Sequence, residues 1–220
     1  MSIWTPEWSL TVNGDEDYKS VTLADVSITS GRTDIYQQAT AGYAAFTILN
    51  FDATQVTIDL NAQVSIKVKD STGTFVNIFG GYVTDIDLET VQAGTGGLIQ
   101  NLKIIALGAL SKLPKTLTTG VLTKKLDGEQ IFDILSQVLF NSWNEVPASL
   151  TWNTYNPTTT WANAENAGLG EIDEGNYELT ARSSNVTDIY SLVAALANSG
   201  LGYLYEDNQG RICYADSTHR

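Results

Sequence analysis

Cysteine and histidine are nearly missing from this sequence, with one of each. A lone Cys213 excludes an intrachain disulfide and leaves a cysteine-built metal centre without ligands. A lone His219 removes the central residue of His-dependent triads, of two-His metal motifs and of most general-base schemes. Neither residue is given a role, and no catalytic group, cofactor or metal is expected. Long hydrophobic runs are also missing. The longest, around Ile104–Leu110 and Ser191–Ala197, fall far short of the roughly 20 residues that span a bilayer. The opening MSIWTPEWSL lacks the basic start and apolar block of a secretory signal, so folding is expected in the cytoplasm where the chain is made. Positive charge is scarce, with 12 Lys and Arg against 25 Asp and Glu and a net charge of −13. Phosphate binding needs clustered cations, so specific nucleic-acid binding is not expected.

What is present is ample apolar content, 43% hydrophobic against 17% charged residues, which excludes a disordered chain. The 220 residues suffice for one large domain or two small ones, each with its own core. The charge is uneven: residues 1–126 carry −3 and residues 127–220 carry −10. No acid occurs between Glu89 and Asp127, where Lys103, Lys112, Lys115, Lys124 and Lys125 fall. Two readings stand: a solvated basic surface, or a collar in which Lys112, Lys115, Lys124 and Lys125 meet an acidic neighbouring subunit.

The first half alternates with period two, the mark of strands with one buried face. Val64, Ile66 and Val68 share a face, as do Phe46 and Ile48. Val76–Glu89 is the longest candidate, with Gly80-Gly81 inside it, which predicts a bulge or sharp bend. Further strands are expected at Ser9–Val12, Val21–Ser30 and Ile99–Leu107, separated by turn sequences such as Asn13-Gly14-Asp15 and Asp70-Ser71-Thr72-Gly73. About six strands without a convincing helix between them predict a small antiparallel β-barrel or sandwich over residues 1–113.

Residues 114–220 read as a smaller α/β domain, making the whole chain α+β. Asp127 with Gln130 has capping-box spacing, and Ile131, Ile134, Leu135, Val138 and Leu139 follow helical spacing over Gly128–Asn141. A second helix is predicted with Thr187 as its cap, Ile189, Leu192, Val193 and Leu196 on its buried face and Gly200 at its end. Leu201–Glu206 and Arg211–Ala215 then form a β-hairpin around Asp207-Asn208-Gln209-Gly210. An isolated hairpin is marginal, so either a partner or missing sequence is expected to complete its sheet.

Several groups invite a functional reading. Asp15-Glu16-Asp17 resembles part of a calcium loop without its full spacing, and a solvated acidic turn is preferred. Glu171, Asp173 and Glu174 could supply a glycosidase carboxylate pair, but the glycine-flanked setting favours a surface loop. The glycine clusters lack a following Lys-Ser or Lys-Thr, so no phosphate loop is read. Trp143, Trp152, Tyr155 and Trp161 lie in a stretch rich in Asn, Thr and Ala. They are core residues, subunit-interface anchors or, a distant third, sugar-stacking residues.

Three stretches carry a resemblance. They are GRTDIYQQATAGYAAFTILN with QVSIKVKD, FVNIFGGYVTDIDLE leading into IQNLKIIALGALSKL, and DGEQIFDILSQVL with VTDIYSLVAALANSGLGYLYEDNQGRICYAD. Together they resemble the tail hub proteins of tailed phages, especially minor tail proteins of phages that infect actinobacteria. Similar hubs occur in contractile baseplates and type VI secretion spikes. In that family a barrel, matched here by Phe79-Gly80-Gly81-Tyr82-Val83 and Leu102–Leu113, precedes an α/β domain and a second barrel that this chain does not contain. The resemblance implies a non-enzymatic structural subunit of the virion tail tip, assembled in the host cytoplasm as a ring, commonly a homotrimer. The implied neighbours are the distal tail protein, the tape-measure protein, and tail spike or receptor-binding proteins. A carbohydrate-binding or receptor-binding adhesin module is the alternative, motivated by the Trp-rich stretch. A tail-attached hydrolase is the weakest reading, for want of a histidine and a nucleophile motif.

Overall fold

A computed structural model describes residues 7–14, 22–32, 34, 36–50, 58–92, 98–141 and 169–219. The chain is α+β and divides into two compact units. The first unit comprises residues 1–30, 42–108 and 208–210, and the second comprises 31–41, 109–207 and 211–220.

The first unit is a six-stranded antiparallel sheet. Its strands are β1 (Trp8–Val12), β2 (Thr22–Thr29), β3 (Tyr43–Asn50), β4 (Gln63–Lys69), β5 (Phe75–Gln92) and β6 (Leu98–Leu107). They lie in the order β1-β4-β5-β6-β3-β2. Alternation fixes which face is buried. Leu10, Val12, Ala44, Phe46, Ile48, Val64, Ile66, Phe79, Val83, Leu102, Ile104 and Ala106 form one core. The barrel expected from sequence is not closed: among the described residues β1 and β2 are edges with no ladder between them. The sheet nonetheless curls, because Trp8 on β1 and Val26 on β2 line the same cleft.

Bulges produce part of that curl. In β5 the pairing skips Ile78 opposite β4 and Thr84 opposite β6, so the irregularities flank Gly80-Gly81 rather than fall on it. Gly81 answers a packing need instead: a Cβ there would sit 2.5 Å from the Leu107 carbonyl oxygen and 2.8 Å from the Phe79 ring. The β4–β5 turn is built as its sequence implies. Asp70 Oδ1 accepts from the N–H groups of Thr72 at 2.8 Å and Thr74 at 2.9 Å, and Gly73 takes φ +90°. The Thr72 hydroxyl, followed by these amides, holds the Asp70 carboxyl below its ordinary range.

In the second unit a 3-10 helix at Ala109–Lys115 leads to short ribbons and two α-helices, α1 (Asp127–Asn141) and α2 (Ile189–Ser199). Strand β7 (Leu117–Thr118) pairs with β11 (Thr187–Asp188), and β8 (Lys125–Leu126) pairs with β10 (Glu178–Leu179). The predicted hairpin is β12 (Tyr203–Glu206) and β13 (Ile212–Ala215). Its completing strand comes from the chain itself: β9 (Leu169–Ile172) pairs parallel with β13. The core joins Leu110, Leu113, Ile131, Ile134, Leu135, Ile172, Ile189, Val193, Leu204 and Tyr214. The side chains of 137–141, including Val138 and Leu139, lie outside the described set. No helix among the described residues is long and apolar enough to cross a membrane.

Residues 31–41 belong to this unit because their backbone and amide groups are satisfied there. Gln38 is buried with its whole amide engaged. It donates to Asn198 Oδ1 at 2.7 Å and the Gly202 carbonyl at 3.2 Å, and accepts from Leu204 N–H at 2.7 Å. The Tyr190 hydroxyl donates to the Ala39 carbonyl at 2.8 Å, and the Arg32 guanidinium lies 4.3 Å from the Tyr203 ring centre.

The helix ends correct two readings. Asp188, not Thr187, caps α2, its Oδ1 accepting from Ser191 N–H at 2.8 Å. Gln130 does not close a capping box with Asp127. It is buried, and its Nε2 donates to the carbonyls of Thr123 at 2.7 Å and Thr180 at 3.2 Å, tying α1 to two neighbouring segments. Gly200 does end α2, followed by a Schellman pattern in which Gly202 N–H donates to Ala197 and Leu201 N–H to Asn198. The left-handed position of that motif falls on Leu201, φ +54°, and not on a glycine. A left-handed non-glycine residue costs roughly 1–2 kcal/mol. Leu201→Gly is therefore expected to stabilise the protein by about 1 kcal/mol, read as a higher denaturation midpoint in urea.

Candidate functional site

Lys112, Lys115, Lys124 and Lys125 all belong to the second unit. Lys124 Nζ lies 2.5 Å from Glu178, and Lys125 Nζ lies 2.7 Å from Asp133. Both ion pairs arise because β8 runs beside β10 and into α1. Hydrogen bonding to Asp133 raises the Lys125 pKa above its ordinary value. Lys112 is half-buried on the 3-10 helix, and burial lowers its pKa, whereas Lys115 is exposed. Lys124 and Lys125 each pair with an acid of their own unit, while Lys115 and Lys124 stay exposed. Trp143, Trp152, Tyr155 and Trp161, and Asp15-Glu16-Asp17, lie outside the described residues.

The ribbon of β7 and β11 presents a different surface. Thr118 pairs with Thr187 and Leu117 with Asp188, which places Leu117 and Asp188 on one side of the ribbon. Leu117 and Val186 are 68% and 65% exposed, and nearby Val121 is 56% exposed. Arg182 holds the ribbon in shape, donating to the carbonyls of Gly120 at 2.7 Å, Asn185 at 2.9 Å and Thr119 at 3.2 Å. A guanidinium fixing three backbone carbonyls keeps an apolar edge rigid in water. Sequence reading missed this edge, because two-residue strands leave no periodicity to detect.

The first unit carries an apolar cleft of about 270 Å³ lined by Trp8, Ala24, Val26, Ile66, Val68 and Ile78, with Asp25 at its rim. It forms where the two edges of the curled sheet approach. On β5, Asp85, Asp87 and Glu89 are exposed, with Glu89 3.6 Å from Lys103 across the ladder.

The carboxylates for which the sequence favoured a surface loop over a sugar-cleaving pair are divided by burial. Glu171 is half-buried, Glu174 is exposed and Asp173 is 2% exposed. Asp173 Oδ2 accepts from Asp216 N–H at 2.9 Å and lies 2.6 Å from His219 Nδ1. Burial raises the Asp173 pKa, against the pull of those two donors. The partner of His219 stands 46 residues earlier in the chain, so no local motif announced it. Cys213 is buried, and burial pushes its thiol up to about 12, which makes it unreactive.

Scans against known families and against curated proteins matched nothing. Solved structures did match. The chain is similar to the 43 kDa tail protein of prophage MuSo2 from Shewanella oneidensis, with a TM-score of 0.59 and 13% identity over 97% of this chain and 56% of that one. It is also similar to the tail protein from Neisseria meningitidis MC58, with a TM-score of 0.55 and 12% identity over 99% of this chain and 53% of that one. The chain therefore has the fold of these two tail proteins and spans little more than half the length of each.

Proposed function

We propose that the chain is a structural subunit of a phage tail tip, a hub or minor tail protein that works by docking onto copies of itself and onto neighbouring tail components. The observation that carries this reading is the fold correspondence, which runs through both units rather than one. In this reading no bond is made or broken. Shape-complementary surfaces close a rotational symmetry, a trimer being the expected order, and leave a passage for tape measure and DNA. The distal tail protein, the tape-measure protein and the spike or receptor-binding proteins are the expected neighbours. The acidic surplus suits such a passage because it repels phosphate.

The rigid apolar edge of Leu117 and Val186 is the surface best suited to docking, since exposed aliphatic side chains gain from being covered. Changing both to Asp is expected to weaken self-association at least tenfold by mass photometry while far-UV circular dichroism stays unchanged. A parent chain that stays monomeric at high concentration and turns over a polysaccharide would overturn the proposal.

A further inference from the structure

Asp173, Asp216 and His219 bring their ligand atoms within 4.8 Å of one another. Asp173 follows β9, while Asp216 and His219 follow β13, so the parallel pairing of those strands creates the convergence. Both carboxylates are buried, and Asp127, which hydrogen-bonds Tyr214 on β13, is a third buried acid nearby. Asp173 Oδ2 is taken by Asp216 N–H and His219. Its other oxygen, Oδ1, is shielded from solvent and has no hydrogen-bond partner among the described residues. A buried carboxylate oxygen without a donor is costly, and a cation is one way to satisfy it. The second carboxylate is pre-set: Asp216 Oδ1 accepts from Thr218 N–H at 2.8 Å and Thr218 Oγ1 at 2.6 Å, which fixes its plane.

We propose that Asp173, Asp216 and His219 form a structural binding site for one divalent transition-metal ion, Zn²⁺ being the best fit. Two carboxylate oxygens and an imidazole nitrogen are a mixed donor set. Imidazole favours Zn²⁺ over Ca²⁺ and Mg²⁺, which prefer all-oxygen shells. The ion takes the orphaned Asp173 Oδ1, replaces the short His219–Asp173 hydrogen bond, and offsets negative charge that the fold has removed from water. It also cross-links the ends of β9 and β13. This role is independent of any assembly function.

The test is calorimetric titration of the chelator-stripped full chain with ZnCl₂, MgCl₂ and CaCl₂ at neutral pH, alongside thermal melts. One Zn²⁺ per chain is expected at micromolar affinity or tighter, with a rise of several degrees in Tm at saturation and at least tenfold weaker Ca²⁺ and Mg²⁺ binding. His219→Gln, a change at a partly exposed position that spares the core, is expected to weaken Zn²⁺ at least 30-fold. Cys213→Ser is expected to leave it unchanged. Absence of one-site Zn²⁺ binding, retention of it in His219→Gln, loss of it in Cys213→Ser, or a preference for Ca²⁺ or Mg²⁺ would each overturn the proposal.

Discussion

Replacing Asp127 with Ala is expected to cost about 3–5 kcal/mol, a large share of the roughly 5–15 kcal/mol that keeps an ordinary domain folded. Asp127 is fully buried at the start of α1. Its Oδ1 accepts from Tyr177 N–H at 2.8 Å, and its Oδ2 accepts from the Tyr214 hydroxyl. The backbone closes the same bridge, with Asp127 N–H donating to the Tyr177 carbonyl at 2.9 Å. Gly175 and Gly200 crowd this carboxylate so closely that any Cβ on either would overlap it. Ala at 127 would strand an N–H and a hydroxyl in a site that water cannot reach, and leave a void. Tyr214→Phe removes one of these bonds and is expected to lose about 1.5–3 kcal/mol. Burial first, and then the hydrogen bond to Asp127, hold the Tyr214 hydroxyl far above its ordinary pKa, so the bond persists throughout the physiological range. Urea titration followed by circular dichroism measures both changes. A loss below 1 kcal/mol for Asp127→Ala would mean that the carboxylate is hydrated rather than sealed.

Gly128→Ala is expected to reverse the usual sign of a helix substitution. In an exposed helix, Gly to Ala gains about 1 kcal/mol. Gly128 is in the first turn of α1, but a Cβ there would overlap the Asp173 carbonyl oxygen and lie 2.7 Å from the Glu174 backbone. Those are main-chain atoms held in place, since Glu129 N–H donates to the Glu174 carbonyl and Asp173 N–H to the Tyr214 carbonyl. They cannot rotate aside as a side chain would. A net loss of about 2–4 kcal/mol follows, shown by a lower urea midpoint at unchanged slope. A gain in stability would show that α1 does not seat against the β9 segment.

These two sites mark where sequence reading stopped. The long strands were legible because a one-sided core writes alternation into the chain, as Val64, Ile66 and Val68 do on β4. Both helices were legible from apolar spacing, and the β12–β13 hairpin from its turn. The strand order β1-β4-β5-β6-β3-β2 was not, because pairing partners far apart leave no local trace. Neither was β9, four residues that gain their identity from β13. Gln130 was misread for an instructive reason: its spacing from Asp127 suits a local cap, while burial gave its amide three-way work elsewhere. Thr187 and Asp188 are both good caps, and sequence alone does not choose between neighbours. His219 was passed over because Asp173, 46 residues earlier, reaches it only through the fold.

The tether from Gln38 to Leu204 has a consequence for biogenesis. Its hydrogen bond bridges 166 positions of chain. All six strands of the large sheet precede residue 108 and can leave the ribosome together. The 31–41 segment emerges among them, yet Gln38 finds its docking partners on α2 and β12 only 160 and 166 positions later. Gln38 therefore cannot be captured until those later residues are made, so completion of the second unit is a step that synthesis itself delays.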